Sequence, residues 1–320
     1  MNEIPTPMRQ YVLAALLLCA VAGSATADGP TVPTPDPPSI NAPSYILMDF
    51  DTGSVLAERD PDVQRAPASL VKLMTAYAVF SEIRDDYLAL DEEVTISERA
   101  WRMGGSRMFL EVGHTVTIEQ LLRGMIIQSG NDASVALAEH VAGNEDTFAQ
   151  LMNQHAAELG MDNTHFTNAT GWPHPEQVTT ARDIARLGQA LIRDFPEFYS
   201  YYSEREYTFN GITQDNRNRL LWRDASVDGL KTGHTSDAGY NLASSAKRDG
   251  MRLTAVVLGT DSAQARMEQS QALLNYGFRF FGTYELYGAD EALAQPRLWK
   301  GATDTLPVGI TEPLYVTVPE

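Results

Sequence analysis

Two hairpin signals, one at residues 44–59 and one at residues 239–260, lie far apart in this chain with helical patterns between them. In the first, "SYILMDF" and "SVLAERD" alternate around Asp51-Thr52-Gly53, two short runs joined by turn residues. In the second, "GYNLASSAKRDGMRLTAVVLG" divides at Arg248-Asp249-Gly250, and a further strand run, "VDGLKTGHT", precedes it. Apolar residues recur at helical spacing in "SLVKLMTAYAVF", "DASVALAEHVA", "ARDIARLGQALI" and "TFAQLMNQHAAELG", the last ended by Gly160. Thr117 and Gln120 form a capping box ahead of "LLRGMII". After the second hairpin, Met267, Leu274, Phe278 and Phe281 are expected on one face of a closing helix. A sheet built from both ends of the sequence, with helices inserted, predicts a mixed α/β or α+β domain over residues 44–283. Residues 284–320 read as β-rich ("EPLYVTVPE") but are too few for a domain of their own. No internal repeat is present.

The N-terminus reads as an export signal. Arg9 precedes an apolar run at residues 11–23, and Ala25 and Ala27 stand in A-x-A register, so residues 1–27 are expected to be removed. That run is short for a membrane span. Cleavage would take away Cys19, the only cysteine, leaving no disulfide or thiol chemistry. Residues 28–43, dense in proline, read as an extended linker. A formal charge of −18, with no cluster of Lys or Arg, argues against nucleic acid as a partner.

Asp51-Thr52-Gly53-Ser54 matches the catalytic loop of an aspartic protease, but that chemistry needs two carboxylates sharing a proton, and no second D-[ST]-G occurs. The expected role is a turn: Asp51→Asn should cost some stability and leave catalysis intact. The six histidines form no H-E-x-x-H, and without cysteines no metal is expected, nor any cofactor.

Three other short motifs carry chemistry. Ser69 and Lys72, in "PASLVKLMTAY", lie three apart at a helix start. The serine sits in the field of the helix N-terminus, and the lysine amine can take its proton. Ser129-Gly130-Asn131 falls at a helix-to-helix junction, and Lys231-Thr232-Gly233 on a strand. Each alone is a capping serine, a loop or an edge strand. In this order, S-x-x-K, S-[DG]-N and K-T-G form the triple of penicillin-recognising serine enzymes.

Around the triple, residues 44–320 resemble the low-molecular-mass penicillin-binding proteins of the serine-type D-alanyl-D-alanine carboxypeptidase family. The likeness extends through "SGNDASVALAE", "NTHF", "LGQALIRD", "YTFNGITQDNRN", "VDGLKTGHTSDAGYNL" and "GFRFF". A class A β-lactamase would need a deacylating glutamate in an E-x-x-L-N setting, and none is found. The resemblance implies a transpeptidase-like catalytic domain, an antiparallel sheet flanked by a helical subdomain, followed by the start of a small β domain. It implies that Ser69 attacks the D-Ala-D-Ala bond of a peptidoglycan stem peptide, with Lys72 as general base, kept neutral by burial and by the charge of Lys231. Ser129 would pass a proton to the leaving amine, and Asn131 would orient the substrate and hold Lys72. Lys231 and Thr232 would receive the terminal carboxylate, and Gly233 would let a substrate strand approach the sheet edge. The backbone N–H groups of Ser69 and His234 would form the oxyanion hole. Arg217, Arg266 and Ser106 match family positions around the pocket. β-Lactam antibiotics are expected to acylate Ser69. A periplasmic location follows, peripheral to the inner membrane, without an anchor helix in these residues and with an incomplete C-terminal domain. A D,D-endopeptidase and a non-catalytic wall-binding or shape protein stay open as alternatives.

Overall fold

A computed structural model describes residues 34–299, 301 and 303–320; the expected signal peptide lies outside them. Five strands form one antiparallel sheet: β1 (Ser44–Asp49), β2 (Val55–Arg59), β7 (Val227–Thr235), β8 (Gly239–Arg248) and β9 (Met251–Thr260). Their order is β2-β1-β9-β8-β7. The sheet is thus assembled from both ends of the sequence, with β1 pairing β9 from Ser44↔Leu258 to Asp49↔Leu253. The fold is the transpeptidase-like α/β arrangement that the motifs implied, with β2 and β7 as the two edge strands.

Both faces of the sheet are covered. Ile46, Met48, Leu230, Ala243 and Val256 point into the core shared with the helical region. Their neighbours Tyr45, Leu47, Leu242, Ala255 and Val257 point into a second core. A period of two therefore buries every residue of β1, one on each side in turn.

Seven longer helices are named here: α1 (Val71–Arg84), α2 (Glu98–Arg102), α3 (Ile118–Ile127), α4 (Asn131–Ala142), α5 (Glu145–Glu158), α6 (Ala181–Asp194) and α7 (Ala263–Phe280). From Val71 through Ser81 every residue of α1 is buried, because α3, α4, α5 and α6 pack around it. A helix apolar on all sides belongs in an interior. The Thr117–Gln120 capping box that opens α3 is present in full. Helix α7 covers the second core with Leu273, Leu274 and Tyr276 fully packed and Met267 and Phe278 against them. Phe281, expected on this helix, is instead the first residue of β10 (Phe281–Tyr287), whose extended backbone ends the helix.

Several smaller elements were not anticipated: the pairs β3 (Glu93–Thr95) with β4 (Thr115–Thr117) and β5 (Glu206–Phe209) with β6 (Ile212–Asp215). After β10, strands β11 (Ala292–Ala294) and β12 (Val308–Gly309) pair, and β13 (Leu314–Pro319) pairs back on β10. No helix among the described residues is long and apolar enough to cross a membrane.

The proline-rich stretch expected as a linker has no helix or strand in its described part, residues 34–43. It is nonetheless fixed to the sheet. Ile40 and Ala42 are buried in the second core, Arg59 donates to Ile40 O, and the Tyr276 hydroxyl donates to Pro35 O.

Asp51-Thr52-Gly53 is the turn between β1 and β2, with Gly53 at φ +69°. Asp51 is exposed there. The buried carboxylate of this turn is Asp49, which accepts from Thr52 N, Thr52 Oγ1 and Thr283 Oγ1. Strand register places Asp49, Leu253, Ala246 and Val227 in one row at one end of the sheet. Gly233 lies further along β7, toward its opposite end. The D-T-G turn and the K-T-G motif therefore sit at different ends of the sheet.

Candidate active site

The three motifs converge between α1, the α3–α4 junction and β7. Ser69 lies in a single 3-10 turn, Ala68–Leu70, that leads into α1, so Lys72 follows it on the same face. Ala68 holds φ +48°, the left-handed region, in which an alanine stays only if its surroundings impose it. Three contacts impose it here. Asn241 Nδ2 donates to Ala66 O and Pro67 O. A Cβ on Gly233 would lie 2.9 Å from Pro67 O and 3.2 Å from Ser69 N, so only glycine lets β7 pass this turn. From the other side Gly171, at φ +84°, approaches so closely that a Cβ would lie 2.0 Å from Ala68 O. Gly233 was expected to make room for a substrate strand; the closeness seen is to the protein's own nucleophile turn.

Lys72 is fully buried and makes three hydrogen bonds. Nζ lies 3.2 Å from Ser69 Oγ and donates to Asn131 Oδ1 at 2.7 Å and to Thr170 O. Asn131 Nδ2 donates to Gly104 O, which fixes the amide with its oxygen toward Lys72. Asn131 Oδ1 and Thr170 O can only accept. A neutral amine here spends both N–H groups on them and keeps its lone pair for the Ser69 hydroxyl. Burial first, and then the positive charge of Arg217, hold the Lys72 ammonium down to about 7. Lys231 had been expected as that neighbouring charge. Lys231 is itself pushed well below the ordinary lysine range, by burial and then by the charges of Lys72, Arg217 and Arg266.

Ser129 adopts φ +63° between α3 and α4, and its Oγ is buried without a partner. The Lys231 ammonium, also buried, reaches only Thr232 O, at 3.5 Å. Thr232 is buried next to them on the edge strand. His234 is exposed, its ring stacked on Tyr240 at 3.9 Å.

The two arginines differ. Arg217 is exposed and makes no ion pair among the described residues, while its charge is felt at Lys72, Lys231 and Arg266. Arg266 is mostly buried behind the sheet edge, donating to Gly233 O and Asn241 O. Its guanidinium is committed to holding β7 and β8. Ser106 is half-buried, and its carbonyl accepts from Asn131 N.

Sequence reasoning missed the groups that hold these in place. Asp132, buried beside Asn131, accepts from the backbone N–H groups of Met108, Phe109, Leu110 and Ala133, which fastens the 103–110 loop over the site. Asn168 Oδ1 gathers the N–H groups of Thr170, Gly171 and Trp172, and Glu145 accepts from Ala169 N. That short turn delivers Thr170 O to Lys72. The signals were in view as "SGND" and "NATGW": a short carboxylate or amide beside glycine is a loop organiser.

A buried lysine, a serine on a strained turn, a lone serine hydroxyl and a cationic edge strand suit attack on a peptide carbonyl next to a carboxylate. Comparison with known proteins gives the same result. The family model for D-alanyl-D-alanine carboxypeptidase (peptidase S11) matches residues 31–262. The chain belongs to the D-alanyl-D-alanine carboxypeptidase family. It is 44% identical to D-alanyl-D-alanine carboxypeptidase DacA of Escherichia coli K12, over 98% of this chain and 80% of that protein. The crystal structure of penicillin binding protein 5 from Haemophilus influenzae superposes with a TM-score of 0.86 at 42% identity, over 89% of this chain and 85% of that one. Penicillin-binding protein D2 of Listeria monocytogenes, solved in an ampicillin-bound form, is 29% identical with a TM-score of 0.70, over 76% of this chain and all of that one. As a member of this family the protein is a serine-type D-Ala-D-Ala carboxypeptidase. Carboxypeptidase chemistry also explains why the site is cationic in a chain of net charge −18: its substrate ends in a carboxylate.

Proposed function

We propose that this protein removes the terminal D-alanine from peptidoglycan stem pentapeptides through an acyl-enzyme on Ser69. The observation that carries the reading is the Lys72 amine, buried, held by two acceptors and placed at the Ser69 hydroxyl.

The substrate lies along β7 with its carboxylate at Thr232, Lys231 and the exposed Arg217. Ser69 Oγ passes its proton to neutral Lys72 and attacks the carbonyl carbon of the D-Ala-D-Ala bond. The oxyanion that forms is received by the N–H groups of Ser69 and His234. The proton then travels through Ser129 Oγ to the departing amine, the C–N bond breaks, and free D-alanine leaves. Water, deprotonated by Lys72, hydrolyses the Ser69 ester. Asn131 orients the substrate amide while holding Lys72. Arg266 acts by positioning β7, and Ser106 by the loop that closes the site. A β-lactam, which presents a strained amide and a carboxylate in the same relation, acylates Ser69 by the same steps, as the ampicillin-bound relative supports. The N-terminal export signal places the mature protein in the periplasm, at the outer side of the inner membrane.

Release of D-alanine from a stem pentapeptide tests the reading. Wild type should release it stoichiometrically, and Ser69→Ala should release none. Equal release by Ser69→Ala would overturn it.

A further inference from the structure

The groups that hold Lys72 have a carboxylate behind them. Glu145, the first residue of α5, is 6% exposed, and both of its oxygens are engaged. One accepts from Ala169 N at 3.0 Å and the other from the Arg99 guanidinium, which reaches in from α2. A place at the start of a helix, after the Asn144 cap, suits an anion. Glu145, Thr170 and Gly104 line one cavity of about 290 Å³. Thr170 O accepts from Lys72, and Gly104 O accepts from Asn131, which in turn accepts from Lys72. The carboxylate thus borders the same space as both supports of the amine. Thr75 of α1, three residues after Lys72, donates to Ala169 O at 2.7 Å, so the segment that Glu145 grips is tied to the helix of the base.

Charges act on Lys72 from α4, α5, β7 and the segment after β6. Lys231 and Arg217 are the cations, and Asp132 and Glu145 the carboxylates. Asp132 is committed to four backbone N–H groups, so its removal would undo the 103–110 loop. Glu145 serves one backbone N–H and one exposed arginine side chain, and its neighbour Asp146 is exposed. No step assigned above needs Glu145 to be ionised, because an amide oxygen also accepts from Ala169 N. Its negative charge is what has no role yet.

We propose that Glu145 is a positioning residue for the base: its hydrogen bonds hold the turn that carries Thr170 O, and its charge offsets that of Arg217 at the Lys72 amine. The inference rests on Lys72 as the group that takes the Ser69 proton. An anion near the amine favours the ammonium, and a cation disfavours it. With both present, Lys72 titrates at about 7 and stays basic enough to take a hydroxyl proton. Without the Glu145 charge the amine is freed at lower pH but is a weaker base.

Glu145→Gln separates the two contributions, since it keeps an oxygen for Ala169 N and loses the charge. The second-order acylation rate with benzylpenicillin, followed from about pH 5 to pH 9, should keep its acid limb with the midpoint moved down by ~0.5–1 unit. Well below the midpoint, the rate as a fraction of its plateau should therefore rise about three- to tenfold. Glu145→Ala, which also strands Ala169 N, should show the same downward shift together with a lower plateau. A midpoint is read from the folded fraction alone, so lost stability does not obscure it. A purely structural Glu145 would lower the plateau and leave the midpoint at the wild-type value. That result in Glu145→Gln, or an upward shift, would overturn the inference. The absence of any acid limb in wild type would instead overturn Lys72 as the base.

Discussion

Lys72 has three hydrogen-bond partners, and its protonation state decides what it can do with them. As an ammonium it donates to all three and leaves Ser69 its proton; as an amine it has a lone pair to take that proton. Because burial and Arg217 lower its pKa to about 7, the competent form is lost as pH falls through that value. The acylation rate with a penicillin should therefore fall about tenfold per unit below about pH 7 and level off above it. Lys72→Gln, which keeps a donor for Asn131 or Thr170, should acylate ~10²–10⁴-fold more slowly with no such pH step, as rapid-mixing measurements would read. Asp132 matters differently. Its carboxylate satisfies four backbone N–H groups in the interior, and Asp132→Ala strands them. A loss of about 1–3 kcal/mol in denaturant unfolding is expected, together with slower acylation as the 103–110 loop loosens.

At the scale of elements, the nucleophile turn is a wedge between β7 and the 168–172 turn, and glycines make both approaches possible. Gly171→Ala would drive a methyl group into Ala68 O from a left-handed backbone, so thermal unfolding should show a loss of at least ~1 kcal/mol and acylation should slow. Phe80 of α1 is fully buried and stacks on Phe198 at 4.7 Å; Phe80→Ala should cost about 3–5 kcal/mol in the same measurement. The sequence showed much of this scale. The long helices and the five sheet strands follow from period and turn chemistry, and the reactive groups Ser69, Lys72, Ser129 and Lys231 stood out because three motifs share an order. What stayed hidden depends on contacts between distant segments. Asn241 bonds to Ala66 and Pro67, and Asn168 shapes a turn whose carbonyl reaches Lys72; neither has a local pattern that names its partner. Arg266 could be located but not read, because its engagement with Gly233 O and Asn241 O exists only once the sheet is formed.

At the scale of the molecule, the sheet separates two jobs. One end of it, with the K-T-G segment of β7, faces the site; the other end carries the D-T-G turn and meets the C-terminal strands through Asp49, Thr52, Thr283 and Thr317. Asp49→Ala should expose residues 281–320 to limited proteolysis while acylation persists. Asp51→Asn should cost some stability through the turn and leave acylation intact, since this turn lies at the other end of the sheet from the K-T-G segment. Burial and the nearby Asp49 carboxylate raise the Asp51 pKa. The central claim, that the chemistry resides on Ser69 and not at this conspicuous turn, is tested most directly by locating the covalent adduct. Wild-type protein incubated with benzylpenicillin should carry the label, by peptide mass spectrometry, on Ser69 alone, and Ser69→Ala should carry none. Label on any other residue, or undiminished labelling of Ser69→Ala, would contradict it.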